Sequence, residues 1–232
     1  VLYPWSVQEL FDLTVRAVSL AERFRTPVIV LTEESVAHLR ENLTLPAEIE
    51  VYERETEGDE PPFSLEEGKV APMPPFGSGK ALLVTGSTHD DWGWRKTQDP
   101  ATQERLIRHL ITKIRNNLDE IEDYQVLEAP GAKVAIVAAG VVARAGWAAA
   151  RRLTERGVPT TLIRPRTIWP FPRIAELLKD FELVAVPEMN TGRIVQEVQK
   201  LYKGEILPIQ KLNARVITPA EIVNKVEEYL KT

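Results

Sequence analysis

The sequence predicts an α/β fold with a mostly parallel sheet in the C-terminal half of the chain. Four short apolar runs recur there, at 134–139, 160–163, 183–186 and 206–211. Continuous apolar runs of this length are typical of strands that are buried on both faces. A segment with helical spacing follows each run, and strands that alternate with helices favour a parallel sheet.

The first strand–helix–strand unit has clear boundaries. Gly140 ends the first run, an Ala-rich helix is predicted over 142–156, and Gly157 stands where a C-terminal capping glycine is expected. The next run follows at once, so its strand should lie parallel to the first, with a right-handed crossover. The later helices are predicted at 173–179 and 192–202.

The last helix has its own start signal. Thr218, Pro219 and Glu221 form a capping box with proline at the first helical position, and the helix should run to Lys231. A similar box, Ser6 to Glu9, predicts a helix that reaches Phe24.

The N-terminal segment continues with a predicted buried strand at 27–31 and a helix over 32–42. One strand and two helices cannot bury a core alone, so we expect residues 1–43 to be the end of a domain that begins before Val1. Residues 44–121 are predicted to be a linker arm rich in Pro and Gly. Within the arm we expect short strands at 49–54 and 81–85 and a long helix at 101–119.

Composition excludes several classes of function. The 232 residues carry a net charge of −5 and include no cysteine, so disulfides and cysteine-held metal clusters are excluded for this chain. The slight acidity argues against a nucleic-acid or anionic-membrane partner. No apolar run is as long as a membrane span and no signal peptide is recognisable, so a cytoplasmic location is the default expectation.

Candidate functional residues lie at the predicted strand ends, where α/β proteins bind ligands. Gly140 to Arg144 could bind an anion on helix amides, and Arg164 and Arg166 follow the next strand. The simpler interpretation is tight strand–helix packing, with salt bridges to a neighbouring domain. Glu188 and Asn190 follow a third strand, but Asn190 is also a normal helix cap.

Two further features have structural interpretations. His89 with Asp90 and Asp91 could hold a metal or transfer protons, yet a polar turn is the simpler interpretation. The apolar segment Trp169 to Pro172 is expected to be a core or interface element.

Six motifs in order resemble one family, the α subunit of 2-oxoacid:ferredoxin oxidoreductases, most closely the 2-oxoglutarate type. They are SVQELFDLTVRAVSLAERFRTPVIVLTEESVAHLRE, VTGSTHDDWG, AAGVVARAGWAA, RPRTIWPFP, VPEMNTGRIVQEV and ITPAEI. The resemblance implies that 1–43 end a pyrimidine-binding-type domain, that 44–121 are the connecting arm, and that 122–232 form a transketolase C-terminal-like domain.

The resemblance also implies an activity. The family decarboxylates a 2-oxoacid with thiamine diphosphate and Mg, passes electrons through an iron–sulfur cluster to ferredoxin, and forms an acyl-CoA. The cofactor-activating glutamate would lie upstream of Val1, and Val141 and Gln103 depart from the family pattern. No catalytic, cofactor-binding or metal residue is therefore carried over. We expect the cofactors on a β subunit, an oligomeric assembly, and an isolated chain that is inactive.

Two alternatives stay open at this point. The chain could be a non-catalytic α/β assembly or binding module. It could also be part of another thiamine-diphosphate enzyme, such as a 2-oxoacid dehydrogenase β chain.

Overall fold

The computed structural model describes residues 1–231. Its elements, in chain order, are α1 (Val7–Phe24), α2 (Glu34–Ala37), α3 (Pro100–Arg115), α4 (Leu118–Ile121), β1 (Tyr124–Leu127), β2 (Val134–Val137), α5 (Gly140–Glu155), β3 (Thr160–Pro165), α6 (Ala175–Leu178), β4 (Leu183–Glu188), α7 (Arg193–Leu201), β5 (Glu205–Gln210) and α8 (Pro219–Tyr229). The chain divides into two compact units. Among the described residues, the first comprises 1–14, 29–46 and 122–231, and the second comprises 15–28 and 47–121.

The first unit contains a five-stranded sheet in the order β1-β3-β2-β4-β5. Strands β2 to β5 pair in parallel, whereas β1 pairs with β3 in the antiparallel direction. The predicted mostly parallel α/β fold is confirmed. The edge strand β1 was not predicted, because the half-exposed segment Tyr124–Leu127 lacks a continuous apolar run.

Helices cover both faces of this sheet. One buried cluster joins the sheet to α5 and α8 through residues such as Ala149, Leu153 and Ile222. The other joins the opposite face to α6 and α7 through Leu178 and Val198. The order of the strands reverses beside β2, so the carboxyl ends of β2 and β4 form the place where doubly wound sheets usually bind ligands.

Helix ends in this unit follow the sequence signals. Gly157, with φ +86°, follows Arg156, the C-cap residue of α5, as predicted. Thr218 and Glu221 form the predicted capping box of α8. At α1, Ser6 Oγ accepts the Glu9 amide, but the Glu9 carboxylate binds the Trp5 amide instead of returning to Ser6.

Two expectations for the N-terminal segment were wrong. The predicted strand at 27–31 is reduced to one bridge between Val30 and Leu2. The predicted helix over 32–42 is limited to α2, and beyond it Glu41 accepts the Val7 amide at the start of α1.

The second unit holds the C-terminal part of α1, with α3 and α4, and is otherwise irregular. The segments 49–54 and 81–85 are not strands, since neither forms a ladder within the described chain. The predicted helix at 101–119 ends at Arg115, and α4 follows separately. Across residues 1–231, no helix combines the length and the apolar character needed to cross a membrane.

Candidate functional site

The N-terminus of α5 is closed by a carboxylate of the same chain. Glu33 Oε1 accepts a hydrogen bond from the Val141 amide (3.0 Å) and another from the Tyr3 hydroxyl (2.5 Å). Burial, followed by this hydrogen bond to Glu33, raises the pKa of Tyr3 above its usual range, so the phenol stays protonated. Gly140 has φ +53°, and a Cβ there would lie 2.3 Å from Glu33 Oε1. Only glycine allows this approach.

Arg144 leaves the first turn of α5 and meets a second carboxylate. Its guanidinium donates to Glu41 Oε1 at 2.7 Å and to the Trp5 carbonyl oxygen at 3.4 Å. Glu41 also accepts the Val7 amide, and this bond, followed by the one from Arg144, lowers the pKa of the Glu41 carboxyl. Glu41 therefore connects the starts of α1 and α5.

Arg164, on β3, is only 2% exposed and is held by Glu9. The pair is bidentate, with Nη1 to Oε2 at 2.6 Å and Nη2 to Oε1 at 2.7 Å. Gln125 on β1 accepts a further bond at 3.0 Å, and the Trp5 ring lies 3.8 Å from the guanidinium carbon. A fork-to-fork pair stacked on an aromatic ring is a rigid arrangement.

Arg166 extends the same network. It donates through Nε to Asp123 Oδ2 at 2.9 Å, and Nη1 lies 3.5 Å from Glu9 Oε1. Burial is the largest single effect and lowers the pKa of Arg166, but the hydrogen bonds and charges of Asp123 and Glu9 together raise the pKa overall. Arg164, near the end of β3, and Arg166, just after it, thus converge on Glu9.

The start of α7, like that of α5, is closed by a carboxylate of the same chain. Glu188, at the end of β4 and 2% exposed, accepts the amides of Ile194 (3.0 Å) and Val195 (3.1 Å) in α7. Asn190 Oδ1 accepts two more amides, those of Gly192 and Arg193, each at 2.9 Å. The N-cap residue of α7 is Gly192, so Asn190 binds the start of the helix from two positions before the cap and is not the N-cap itself.

The six candidate residues thus meet groups of their own chain. Helix amides that could bind a phosphate hold Glu33 and Glu188 instead, which does not fit a diphosphate site at this edge. The structure does not test whether Gly140, Arg144, Arg164, Arg166, Glu188 or Asn190 serve an external anion or an interface, and that assignment stays a prediction. Arg144 and Arg166 keep 43% and 34% of their side-chain surface exposed.

The sequence reasoning missed the four carboxylates of this network, Glu9, Glu33, Glu41 and Asp123. Glu9 had a visible signal, the capping box, but Glu33 and Glu41 had none, since their partners in α5 lie more than a hundred residues away. Ion pairs of this kind leave no local pattern.

The His89 cluster forms a polar turn. His89 Nδ1 lies 2.8 Å from the Asp90 carbonyl oxygen, and its ring meets the edge of Phe63. Asp91 accepts the Leu65 amide and pairs with Arg105 at 3.2 Å. Within residues 1–231, no group of three or more His, Asp or Glu side chains has an arrangement that could hold a metal ion.

The segment at 169–172 is divided between core and surface. Phe171 packs against the cluster beneath α6 and α7, whereas Trp169 is 65% exposed. The Val1 amino group donates to the Trp169 carbonyl oxygen at 2.7 Å, which fixes the start of the chain beside it.

Two family models match the chain. Residues 1–109 match the pyruvate flavodoxin/ferredoxin oxidoreductase thiamine-diphosphate-binding model, and residues 132–222 match pyruvate:ferredoxin oxidoreductase core domain II.

Curated relatives match along nearly the whole chain. The 2-oxoglutarate synthase subunit KorA of Methanothermobacter marburgensis is 37% identical over 97% of this chain and 62% of its own length. KorA of Methanocaldococcus jannaschii is also 37% identical, over 95% of this chain and 61% of its own length. The ketoisovalerate oxidoreductase subunit VorB of Methanothermobacter thermautotrophicus is 27% identical, over 98% and 59%. This chain therefore spans about three fifths of the length of these relatives.

A solved structure has the same fold. The 2-oxoglutarate:ferredoxin oxidoreductase of Magnetococcus marinus, determined with 2-oxoglutarate, coenzyme A and succinyl-CoA bound, superposes with a TM-score of 0.88 and 26% identity. The match covers 98% of this chain and 41% of that one.

Proposed function

The chain belongs to the 2-oxoacid:ferredoxin oxidoreductase family, and on that premise we propose that it is part of the α subunit of a 2-oxoglutarate:ferredoxin oxidoreductase. In this reaction the C1–C2 bond of the oxoacid breaks and CO₂ leaves. The remaining acyl carbon forms a thioester with coenzyme A, whose thiol proton is released, and the two electrons pass one at a time to ferredoxin. Thiamine diphosphate supplies the electron sink for the decarboxylation when it is bound.

The observation that carries the proposal is the difference in identity between two groups of relatives. The chain is 32–37% identical to four 2-oxoglutarate synthase subunits, but 24–27% identical to two ketoisovalerate oxidoreductase subunits. Both groups match over nearly all of the chain, so the difference supports 2-oxoglutarate as the substrate.

The proposed role of this chain is structural. Its ion-pair network around Glu9 and Arg164 fixes the edge of the sheet, and the exposed Trp169 is available for a partner. We place the iron–sulfur cluster on a partner, because this chain has no thiolate. We place thiamine diphosphate and Mg on a β subunit, because Glu33 and Glu188 occupy the helix amides that could hold a diphosphate here. A cytoplasmic location is part of the same proposal.

The test is activity of the native complex that contains this chain. We expect reduction of ferredoxin that depends on both coenzyme A and 2-oxoglutarate, with succinyl-CoA as the product. The catalytic efficiency with 2-oxoglutarate should exceed that with 2-oxoisovalerate or pyruvate by at least about tenfold, equal to about 1.4 kcal/mol of transition-state discrimination.

Two results would contradict the proposal. A complex that prefers 2-oxoisovalerate would overturn the substrate assignment and leave the family intact. A purified complex that reduces no acceptor with any of the three oxoacids would favour the non-catalytic assembly module.

A further inference from the structure

A buried lysine in the second unit lacks an acidic partner. Lys113, on α3, is 6% exposed, and its Nζ makes one hydrogen bond, a long one of 3.4 Å to the Arg25 carbonyl oxygen. No carboxylate of the described chain pairs with it. Burial, followed by the charge of Arg25, lowers the pKa of Lys113 to about 8. Buried ammonium groups are costly unless an anion compensates them.

A second cation without an acidic partner lies beside it. Arg25 donates to the carbonyl oxygens of Pro62 and Ala71, and its guanidinium lies 5.4 Å from the centre of the Phe63 ring. No ion pair with an acid is formed by Arg25 within residues 1–231. Burial, followed by the charge of Arg54, lowers the pKa of the Arg25 guanidinium. Its bonds to carbonyl oxygens place the arginine but leave its charge uncompensated.

Both cations line one cavity of about 180 Å³, together with His109, His89, Phe63 and Leu106. This volume equals that of about six water molecules in the liquid, enough for a small ligand. His109 Nδ1 is 2.8 Å from the Glu66 carbonyl oxygen, and burial lowers the pKa of the His109 imidazole. His109 therefore gives the cavity a polar imidazole that carries no negative charge.

The acids that contact cavity-lining residues are already engaged. Asp91 pairs with Arg105 at 3.2 Å, and Lys69, which also lines the cavity, is paired with Glu60 at 2.8 Å and with Glu66 at 3.4 Å. The free charges that face Lys113 are therefore positive. An incoming anion would gain from two cations and would displace no internal ion pair.

We propose that this cavity is a binding site for a small oxyanion, a carboxylate or phosphate group, held between Lys113 and Arg25. The planar guanidinium and the compact ammonium are the donors that recognise such groups in proteins. The site belongs to the second unit alone, so it stands whether or not the proposed oxidoreductase activity is found.

The test is calorimetric titration of the 232-residue protein with succinate and, separately, with inorganic phosphate, at a constant ionic strength set with NaCl. Succinamide, which has the same carbon skeleton without the charge, is the matched ligand control. We expect binding of succinate, phosphate or both, and none of succinamide. Comparison of the two anions identifies which chemistry the cavity prefers.

The pH dependence provides an independent readout. Succinate keeps its charge between about pH 7 and pH 9, whereas Lys113, with its pKa at about 8, loses most of its proton over that range. Succinate binding should therefore weaken about tenfold from pH 7 to pH 9 and take up a proton at the higher pH.

The variant Lys113→Met removes the charge and keeps the length of the side chain. It should weaken succinate binding at least about tenfold at pH 7 and abolish the pH dependence. It should also raise the melting temperature without succinate, since a buried charge is lost. Lys96→Met, which changes an exposed lysine outside the cavity, should leave the affinity for succinate, its pH dependence and the melting temperature unchanged.

The proposal is overturned if neither anion binds better than succinamide, a result that needs only the wild-type protein. It is also overturned if a folded Lys113→Met protein keeps the affinity of the wild type.

Discussion

At the scale of single residues, the C-terminal sheet edge depends on charges that meet from distant parts of the sequence. Glu9 and Arg164 are 155 positions apart and form two bonds of 2.6 and 2.7 Å in a buried setting. Removal of one member would leave the other charge buried without compensation, a change that typically costs about 3–5 kcal/mol. The pair therefore fixes the position of residues 1–14 on the sheet.

Gly140 gives a test at this scale. We expect Gly140→Ala to lower the free energy of unfolding by roughly 2–5 kcal/mol, because alanine at φ +53° is strained and its Cβ would collide with Glu33 and Tyr3. Urea unfolding followed by circular dichroism measures this change.

Gly157→Ala is the matched control. Gly157 also has a positive φ, +86°, but nothing lies within 4 Å of a Cβ built there. That variant should lose only the backbone contribution, about 1–2 kcal/mol. Equal losses in the two variants would show that Glu33 does not close the start of α5 as described.

At the scale of elements, several helices of this chain begin with amides that donate to a glutamate carboxylate. Glu33, Glu188 and Glu221 each accept amides at the start of a helix, as the positive end of a helix dipole favours. Glu221 belongs to the one start that the sequence predicted in full. The hydrogen bond from Lys211 is the largest cause, and those from Thr218 come next, in lowering the pKa of the Glu221 carboxyl to about 2. Glu221 is therefore ionised at neutral pH.

The cap of α8 can be tested with two variants. Thr218→Ala removes the oxygen that accepts the Glu221 amide at 3.3 Å, and we expect a loss of about 1 kcal/mol in unfolding free energy. Thr218→Ser keeps a hydroxyl at the same place and should stay near wild-type stability. If the serine variant lost as much as the alanine variant, the cap hydrogen bond would not be the cause.

At the scale of the whole molecule, we expect the chain alone to bind no thiamine diphosphate. Calorimetric titration with the cofactor and Mg should give no binding heat, and heat should appear once the β subunit has been added. A metal that holds the diphosphate would need a motif such as Gly-Asp-Gly. The only Gly-Asp sequence in this chain, Gly58-Asp59, is followed by Glu60, which is paired with Lys69 at 2.8 Å.

Tight binding of the cofactor by the chain alone would show that this division of roles is wrong. Because the experiment measures binding, it stays informative even if the complex acts on a different oxoacid.

The sequence predicted an irregular arm in the second unit, but it did not predict that the arm has no strands among the described residues. Residues 49–54 and 81–85 have sequences compatible with strands, but a strand requires a neighbour that completes its hydrogen bonds, and the described structure supplies none. The cavity around Lys113 was also missed. In the sequence, Lys113 was one of the charges on an amphipathic helix, and burial of that position follows from packing, which periodicity does not encode.

By itself, the sequence determined the parallel strands, the glycine after α5, the capping box of α8 and the family, because each depends on residues close together in the chain. Only the tertiary structure decided the partners of Arg144, Arg164 and Gly140, and the isolation of Lys113 from acids. Those outcomes depend on which side chains meet after folding. Electrostatic interactions act through space over a few ångströms, whatever the distance along the chain.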